Sequence, residues 1–151
     1  MNNEVERMIE ALEVPGTRLR TALLLVPGSM LHKFEDIAAL IKATPEDIVQ
    51  KALDSVPEGS HYVNLSAERI EQWLDAISQR NTGSLRALVA NLDLLLAGVD
   101  SKERQQVWLF VRDSMPYRRR LLLIAMPEDA KQLLPPSLEE WQTAGRCARW
   151  R

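Results

Sequence analysis

The sequence predicts a single three-layer α/β domain over residues 1–151, with a mainly parallel sheet of about five strands and helices on both faces. Three observations predict it. Residues 21–26 and 121–126 form near-continuous apolar runs, the mark of strands covered on both faces. Segments with apolar residues at i, i+3, i+4 and i+7 alternate with these runs, the pattern of helices packed on a parallel sheet. At 151 residues, 46% hydrophobic and 26% charged, the chain has the size and composition of one ordinary globular domain.

Each element has its own signal. Val5, Met8, Ile9 and Leu12 make the apolar stripe of a helix over about 3–13, closed by Val14-Pro15-Gly16. The first strand, 21–26, stops at Pro27-Gly28. Two helical stripes follow: Phe34, Ile37, Ala38 and Ile41, then Ile48, Val49, Ala52 and Leu53. Between them Thr44 is expected as an N-cap, with Pro45 in the first helical position and Asp47 completing a variant capping box. Residues 61–65 are expected as a short second strand, and Ser66 caps a helix whose buried face is Ile70, Trp73, Leu74 and Ile77. Residues 85–90 read as a third strand. Asp100 or Ser101 caps the next helix, which buries Val107, Trp108, Val111 and Met115. The strand 121–126 ends at Pro127, a short helix is expected at 129–134, and residues 146–150 close the chain as a last strand. Trp73 and Trp108 lie on helical stripes and are expected in the core; Trp141 and Trp150 are expected at a partner surface.

The composition narrows the chemistry. No segment approaches the roughly 20 apolar residues of a membrane span, and the acidic start Met1-Asn-Asn-Glu lacks the basic flank of a signal peptide. One cysteine, Cys147, permits no internal disulfide and fits a reducing compartment, so a cytoplasmic protein is expected. Two histidines in different elements and one cysteine make no zinc set. Adjacent carboxylates such as Glu35-Asp36 and Glu139-Glu140 point apart on a helix and form no acid–base dyad. No catalytic residue and no metal ligand is nominated.

The stretch Thr21 to Phe34 has the order of a phosphate-binding loop: apolar strand, tight turn, lysine, helix. That motif, G-x-x-x-x-G-K-[ST], wraps phosphates in backbone N–H groups, brings a lysine to them and holds Mg²⁺ by a hydroxyl. With Lys33 in the lysine's place, Pro27 and His32 stand at the glycines and Phe34 at the hydroxyl. Pro27 has no N–H, His32 carries a Cβ, and Phe34 offers no oxygen. The second nucleotide element, an apolar strand ending in a metal-holding acid, has a counterpart in Leu88-Val-Ala-Asn-Leu-Asp-Leu-Leu-Leu96. There Ala90 takes the carboxylate's place and Asp93 the secondary acidic one. Asn91 and Asp93 read equally well as turn or cap residues after a strand. The nucleotide-binding candidates are Gly28, Ser29, Lys33 and Asp93, and ATP is the cofactor at issue. Without oxygen ligands at Phe34 and Ala90, Mg²⁺-dependent hydrolysis is not expected.

The late part of the chain is richer in cations. Residues 1–60 hold ten acids and six bases, and residues 61–151 hold eleven and thirteen. Arg118, Arg119, Arg120, Arg146, Arg149 and Trp150 are the candidates for contact with DNA or a protein partner.

Taken together, the strand, loop and Lys33, then Asn64-Leu65-Ser66 opening a helix, then Val89 to Leu96, then Leu122-Leu-Ile-Ala-Met-Pro127, resemble the small AAA-type P-loop proteins of BREX phage-defence operons. The resemblance spans nearly the whole chain. It implies a P-loop-like sheet that acts with larger components of a bacterial defence system. In that family the loop is usually intact; Pro27, His32, Phe34 and Ala90 depart from the family's pattern. Three readings follow. The leading one is a non-catalytic, degenerate P-loop-like module that assembles with a larger defence or DNA-processing complex. The second is a nucleotide-binding protein or ATPase with an atypical loop, completed by a partner subunit. The third is an accessory protein that binds DNA directly through the late arginines. Self-association stays open under each.

Overall fold

The computed structural model describes residues 3–59, 64–80, 83–115 and 120–151. Five strands form one all-parallel sheet in the order β2-β3-β4-β1-β5. In chain order the elements are α1 (Asn3–Leu12), β1 (Thr21–Val26), a 3-10 turn (Gly28–Lys33), α2 (Phe34–Leu40), β2 (Thr44–Asp47) and α3 (Ile48–Asp54). They continue with α4 (Ala67–Ser78), β3 (Arg86–Ala90), α5 (Leu92–Ala97), α6 (Ser101–Asp113), β4 (Leu121–Pro127), α7 (Leu138–Thr143) and β5 (Cys147–Arg149).

Alternation along the strands divides the core into two layers. Ala22, Leu24, Val26, Leu88, Leu123 and Ala125 face α1 and α2. Leu23, Leu25, Ala87, Val89, Ile124 and Met126 face the helices α3 to α7. This is the three-layer arrangement the apolar strands require. At roughly 25 cal/mol per Å² of apolar surface removed from water, two such layers supply the main driving force for folding. β1 is an interior strand between β4 and β5, while β4 holds the middle of the sheet.

Several expectations need correction. Thr44–Asp47 is an edge strand, not a helix start, and its register pairs Pro45 with Leu88 and Asp47 with Ala90. Pro45 is tolerated because an edge strand can leave one side of its backbone unpaired. Asp47 does cap a helix, but one turn later than expected: its carboxylate accepts from Val49 N and Gln50 N at the start of α3. Residues 61–63 of the expected second strand lie outside the described residues, and Asn64 and Leu65 are not in a strand. Residues 129–134 form turns, and the helix of that region is α7. Trp141 and Trp150 are 2% and 5% exposed, so both belong to the core rather than to a partner surface. Trp141 packs edge-on against Trp108, with ring centroids 6.1 Å apart, and Trp108 Nε1 donates to Leu133 O.

Four arginines bond the carbonyls of helix ends, three of them from the N-terminal edge of the sheet. The last carbonyls of a helix have no partner within it and carry the negative end of its dipole. Arg86 donates to Ile41 O beyond α2, and Arg120 to Ile77 O in α4. Arg104 donates to Leu96 O and Val99 O at the end of α5, and Arg146 to Arg112 O in α6. Arg86, Arg120 and Arg146 stand at or just before strand starts, where a parallel sheet gathers the ends of α2, α4 and α6, whereas Arg104 lies in the first turn of α6 and ties that helix to the end of α5. No helix among the described residues is long and apolar enough to cross a membrane.

Candidate functional site

Ligands of open α/β sheets bind beyond the carboxyl ends of the strands, where connections leave toward opposite faces. Here that place is the crevice between β1 and β4. The chain leaves β1 toward α2 on one face and leaves β4 toward α7 on the other. The two strand ends are tied by Glu128 N donating to Val26 O at 3.0 Å.

The phosphate-loop candidates lie at this edge. Gly28 and Ser29 are exposed and open the 3-10 turn; Lys33 is exposed and ends it, standing at the N-cap position of α2. Met30 N donates to Pro27 O at 2.8 Å, and Phe34 N to Leu31 O. The i→i+3 bonding of a 3-10 turn directs N–H groups back onto the chain, so from Met30 onward they do not converge on a ligand. Only the amides of Gly28 and Ser29 remain at its open end. Gly28 adopts no positive φ, so the turn is not held open by a left-handed glycine. Asp129 stands beside it: a Cβ built on Gly28 would be 3.8 Å from Asp129 Oδ1. A carboxylate there opposes an incoming phosphate by Coulomb repulsion.

Asp93 lies in the first turn of α5, at the end of β3, and β4 separates that strand from β1. Desolvation raises its pKa above the ordinary aspartate value, against the lowering effect of the Asp93 and Leu94 backbone N–H groups. Its place in the first turn of α5 agrees with the turn-or-cap alternative for this residue. Asn91, in the preceding position, takes a left-handed φ of 69° and makes no side-chain cap bond. Phe34 packs against the α1/α2 core layer, and Ala90 is buried. Neither supplies an oxygen. The residues present therefore do not fit Mg-nucleotide as an intact P-loop would hold it.

The late cations are dispersed. Arg120 is 0% exposed; it donates to Ser84 O and Ile77 O and pairs with Glu46 at 3.1 Å. Arg80 reaches the other oxygen of Glu46 at 2.8 Å. Arg146 is buried, donates to Thr21 O, Thr21 Oγ1 and Arg112 O, and lies 4.5 Å over the Trp141 ring. Burial pushes its pKa down to about 10, with Asp113 acting in the opposite sense. As placed, neither guanidinium faces a nucleic acid. Arg149 is exposed at the end of β5, Trp150 is buried, and Arg118 and Arg119 lie outside the described residues. The candidates thus separate: Gly28, Ser29, Lys33, Asp93 and Arg149 belong to the carboxyl edge, and Arg120 and Arg146 to the opposite one. Cys147 is half-buried, and desolvation raises its pKa to about 11, which disfavours a nucleophilic thiolate.

Sequence reasoning missed Asp129 and the Glu46–Arg120 pair. The acids directly after Pro127 were a legible signal for the first, since strand ends of this sheet face the crevice. No local signal marks the second. Among the described residues no group of three His, Cys, Asp or Glu side chains could hold a metal ion. Compared with protein-family models, curated proteins and solved structures, the chain matches none.

Proposed function

We propose that this chain is a non-catalytic, P-loop-like binding module that assembles with a larger protein of a phage-defence or DNA-processing complex. One observation carries most of the weight. The turn after β1 occupies the place of a phosphate loop but is wound as a 3-10 turn, with Asp129 at its mouth. Phe34 and Ala90 supply no oxygen at the two metal-holding positions. The fold and its ligand edge remain, while the groups that would bind and activate Mg-nucleotide do not. A sheet of this kind without a reaction of its own acts by contact.

The test is purification of the tagged chain from its native cells, followed by mass determination of the eluted species and identification of its components. The reading expects a stoichiometric complex with a larger protein, unchanged by Lys33→Ala. A chain that elutes alone, or a complex that disassembles when Lys33 is replaced, contradicts it.

A further inference from the structure

We propose that the cleft between α1 and the end of α2 is the interface through which two copies of this chain form a weak twofold dimer, each placing Leu40 in the cleft of the other. The inference stands apart from the binding-module reading, which concerns a larger partner. The cleft, of about 330 Å³, has two walls. Glu6, Ile9 and Glu10 of α1 make one; Leu40, Ile41 and Lys42, at the end of α2, make the other. Arg86, at the start of β3, completes the lining.

The walls carry opposite, unpaired charges. Glu6, Glu10 and Lys42 are exposed, and none has an ion-pair partner among the described residues. Arg86 is already held by Glu13 through two bonds of 2.7 Å, so it adds no free charge. The α1 wall is anionic, its two carboxylates neighbours at i and i+4, and the α2 wall is cationic. Lys42 also keeps its place under strain. Ala43 N donates to Ala38 O and Lys42 N to Ala39 O, which closes α2 with a Schellman turn. That turn needs a positive φ at Lys42, which is 56°. Glycine adopts it freely, whereas a residue with a Cβ is strained there. Such strain at a side chain with no ion-pair partner in its own fold points to a use outside it. Leu40 is 73% exposed, more than any other large apolar side chain among the described residues. A lone exposed leucine is ordinary, but this one stands on the rim of a cleft beside the buried Ile9 and Ile41.

The charges choose both the occupant and the symmetry. In a twofold dimer each patch meets the same patch of the other copy. An axis running along the mouth of the cleft sets the α1 wall of each copy against the α2 wall of the other. Lys42 then meets Glu6 and Glu10 twice over, and each Leu40 faces the opposite cleft. An axis crossing the cleft would set carboxylates against carboxylates, which repel. A partner with one sign of charge would satisfy one wall and be repelled by the other; a second copy satisfies both. One apolar side chain per copy and a few exposed ion pairs make a small, transient interface, with a dissociation constant of about 10–100 µM.

The experiment is sedimentation velocity of the purified full chain in low salt, from about 5 to 500 µM so as to span that range. The proposal expects a concentration-dependent shift from monomer to dimer. Leu40→Asp, Lys42→Glu and the pair Glu6→Lys/Glu10→Lys are each expected to weaken the dimer at least about tenfold. All four positions are exposed, so the variants keep the parent's circular dichroism. The deciding arm mixes Lys42→Glu with Glu6→Lys/Glu10→Lys in equal amounts. Each variant repels itself, but in the mixed dimer both wall pairs attract again, and association returns. A dimer unmoved by Leu40→Asp or by both charge variants overturns the proposal, and so does a mixture that associates no better than its components. A parent that stays monomeric throughout overturns it while leaving the binding-module reading standing. A dimer recovered from native cells without a larger protein supports it and contradicts that reading.

Discussion

Replacing Arg120 by Met separates a structural arginine from one that waits for a partner. Met keeps an apolar stem of similar reach but removes every donor. Glu46, 9% exposed, would lose one of its two cations and keep only Arg80; Ser84 O and Ile77 O would each lose a donor. Breaking a buried pair from one side costs about 3–5 kcal/mol. Each orphaned carbonyl belongs to the same penalty range of about 1–3 kcal/mol, so the sum overlaps the first figure rather than doubling it. Against a typical domain stability of roughly 5–15 kcal/mol, this is a large fraction. With a urea slope of about 2 kcal/mol/M, a loss of about 4 kcal/mol moves the midpoint down by about 2 M. The assay is urea unfolding followed by tryptophan fluorescence. Arg120→Met/Glu46→Leu removes the stranded carboxylate as well and is expected to recover about 1–2 kcal/mol of the loss, because buried pairs tolerate joint replacement better than half-removal. An Arg120→Met midpoint within about 0.5 M of the parent, or a double variant less stable than the single, would refute the reasoning.

Three further perturbations test other parts of the fold. Asp47→Ala removes the cap on Val49 N and Gln50 N and is expected to cost about 1 kcal/mol in the same unfolding assay; no change would mean that α3 does not depend on it. Gly83→Ala places a Cβ 2.9 Å from Thr44 Oγ1 at a φ of +82°, so thermal unfolding should show a loss of about 1–2 kcal/mol or more; a neutral result would contradict the close approach of the β3 entry to β2. Burial holds the Cys147 thiol at a pKa of about 11, against 9.0 for a free cysteine, which lowers its thiolate fraction about a hundredfold at pH 8. Disulfide-exchange labelling should be slower by about that factor in the folded chain than in urea, and equal rates would exclude the burial. The linked stability is fully present below pH 9 and lost as pH rises toward 11, since the raised pKa makes the folded state hold its proton longer. A Cys147→Ala variant should lack that part of the alkaline decline.

What could be seen in the sequence was whatever rests on local pattern. β1 and β4 are buried on both faces and have the unbroken apolar character that this burial demands. α4 and α6 have the right period and true caps at Ser66 and Asp100. β2 was hidden because its one buried side chain is a glutamate, satisfied by Arg80 and Arg120 from 34 and 74 residues away. Thr-Pro-Glu-Asp therefore looked like a helix start, and Asp47 performs that task after the strand has ended. α7 is six residues long, too short to display a period. The late arginines looked like a surface patch because charge is legible in a sequence and burial is not. Arg120 and Arg146 become structural only once the parallel sheet gathers helix ends beside strand starts. At the crevice, it was legible position by position that Pro27, His32, Phe34 and Ala90 stand where a phosphate loop and its partner strand would need glycines and metal-holding oxygens. The 3-10 winding and the placing of Asp129 beside Gly28 were not, since they depend on how β1 and β4 end side by side.

The central claim is that the turn after β1 stands where a phosphate loop would stand and lacks the means to hold Mg-nucleotide. Isothermal titration of ATP into the purified chain, with and without Mg²⁺ and up to millimolar concentration, tests it most directly. The account predicts no saturable heat in either condition and no difference between the parent and Lys33→Ala. Saturable binding that requires Mg²⁺ and disappears in Lys33→Ala would contradict it.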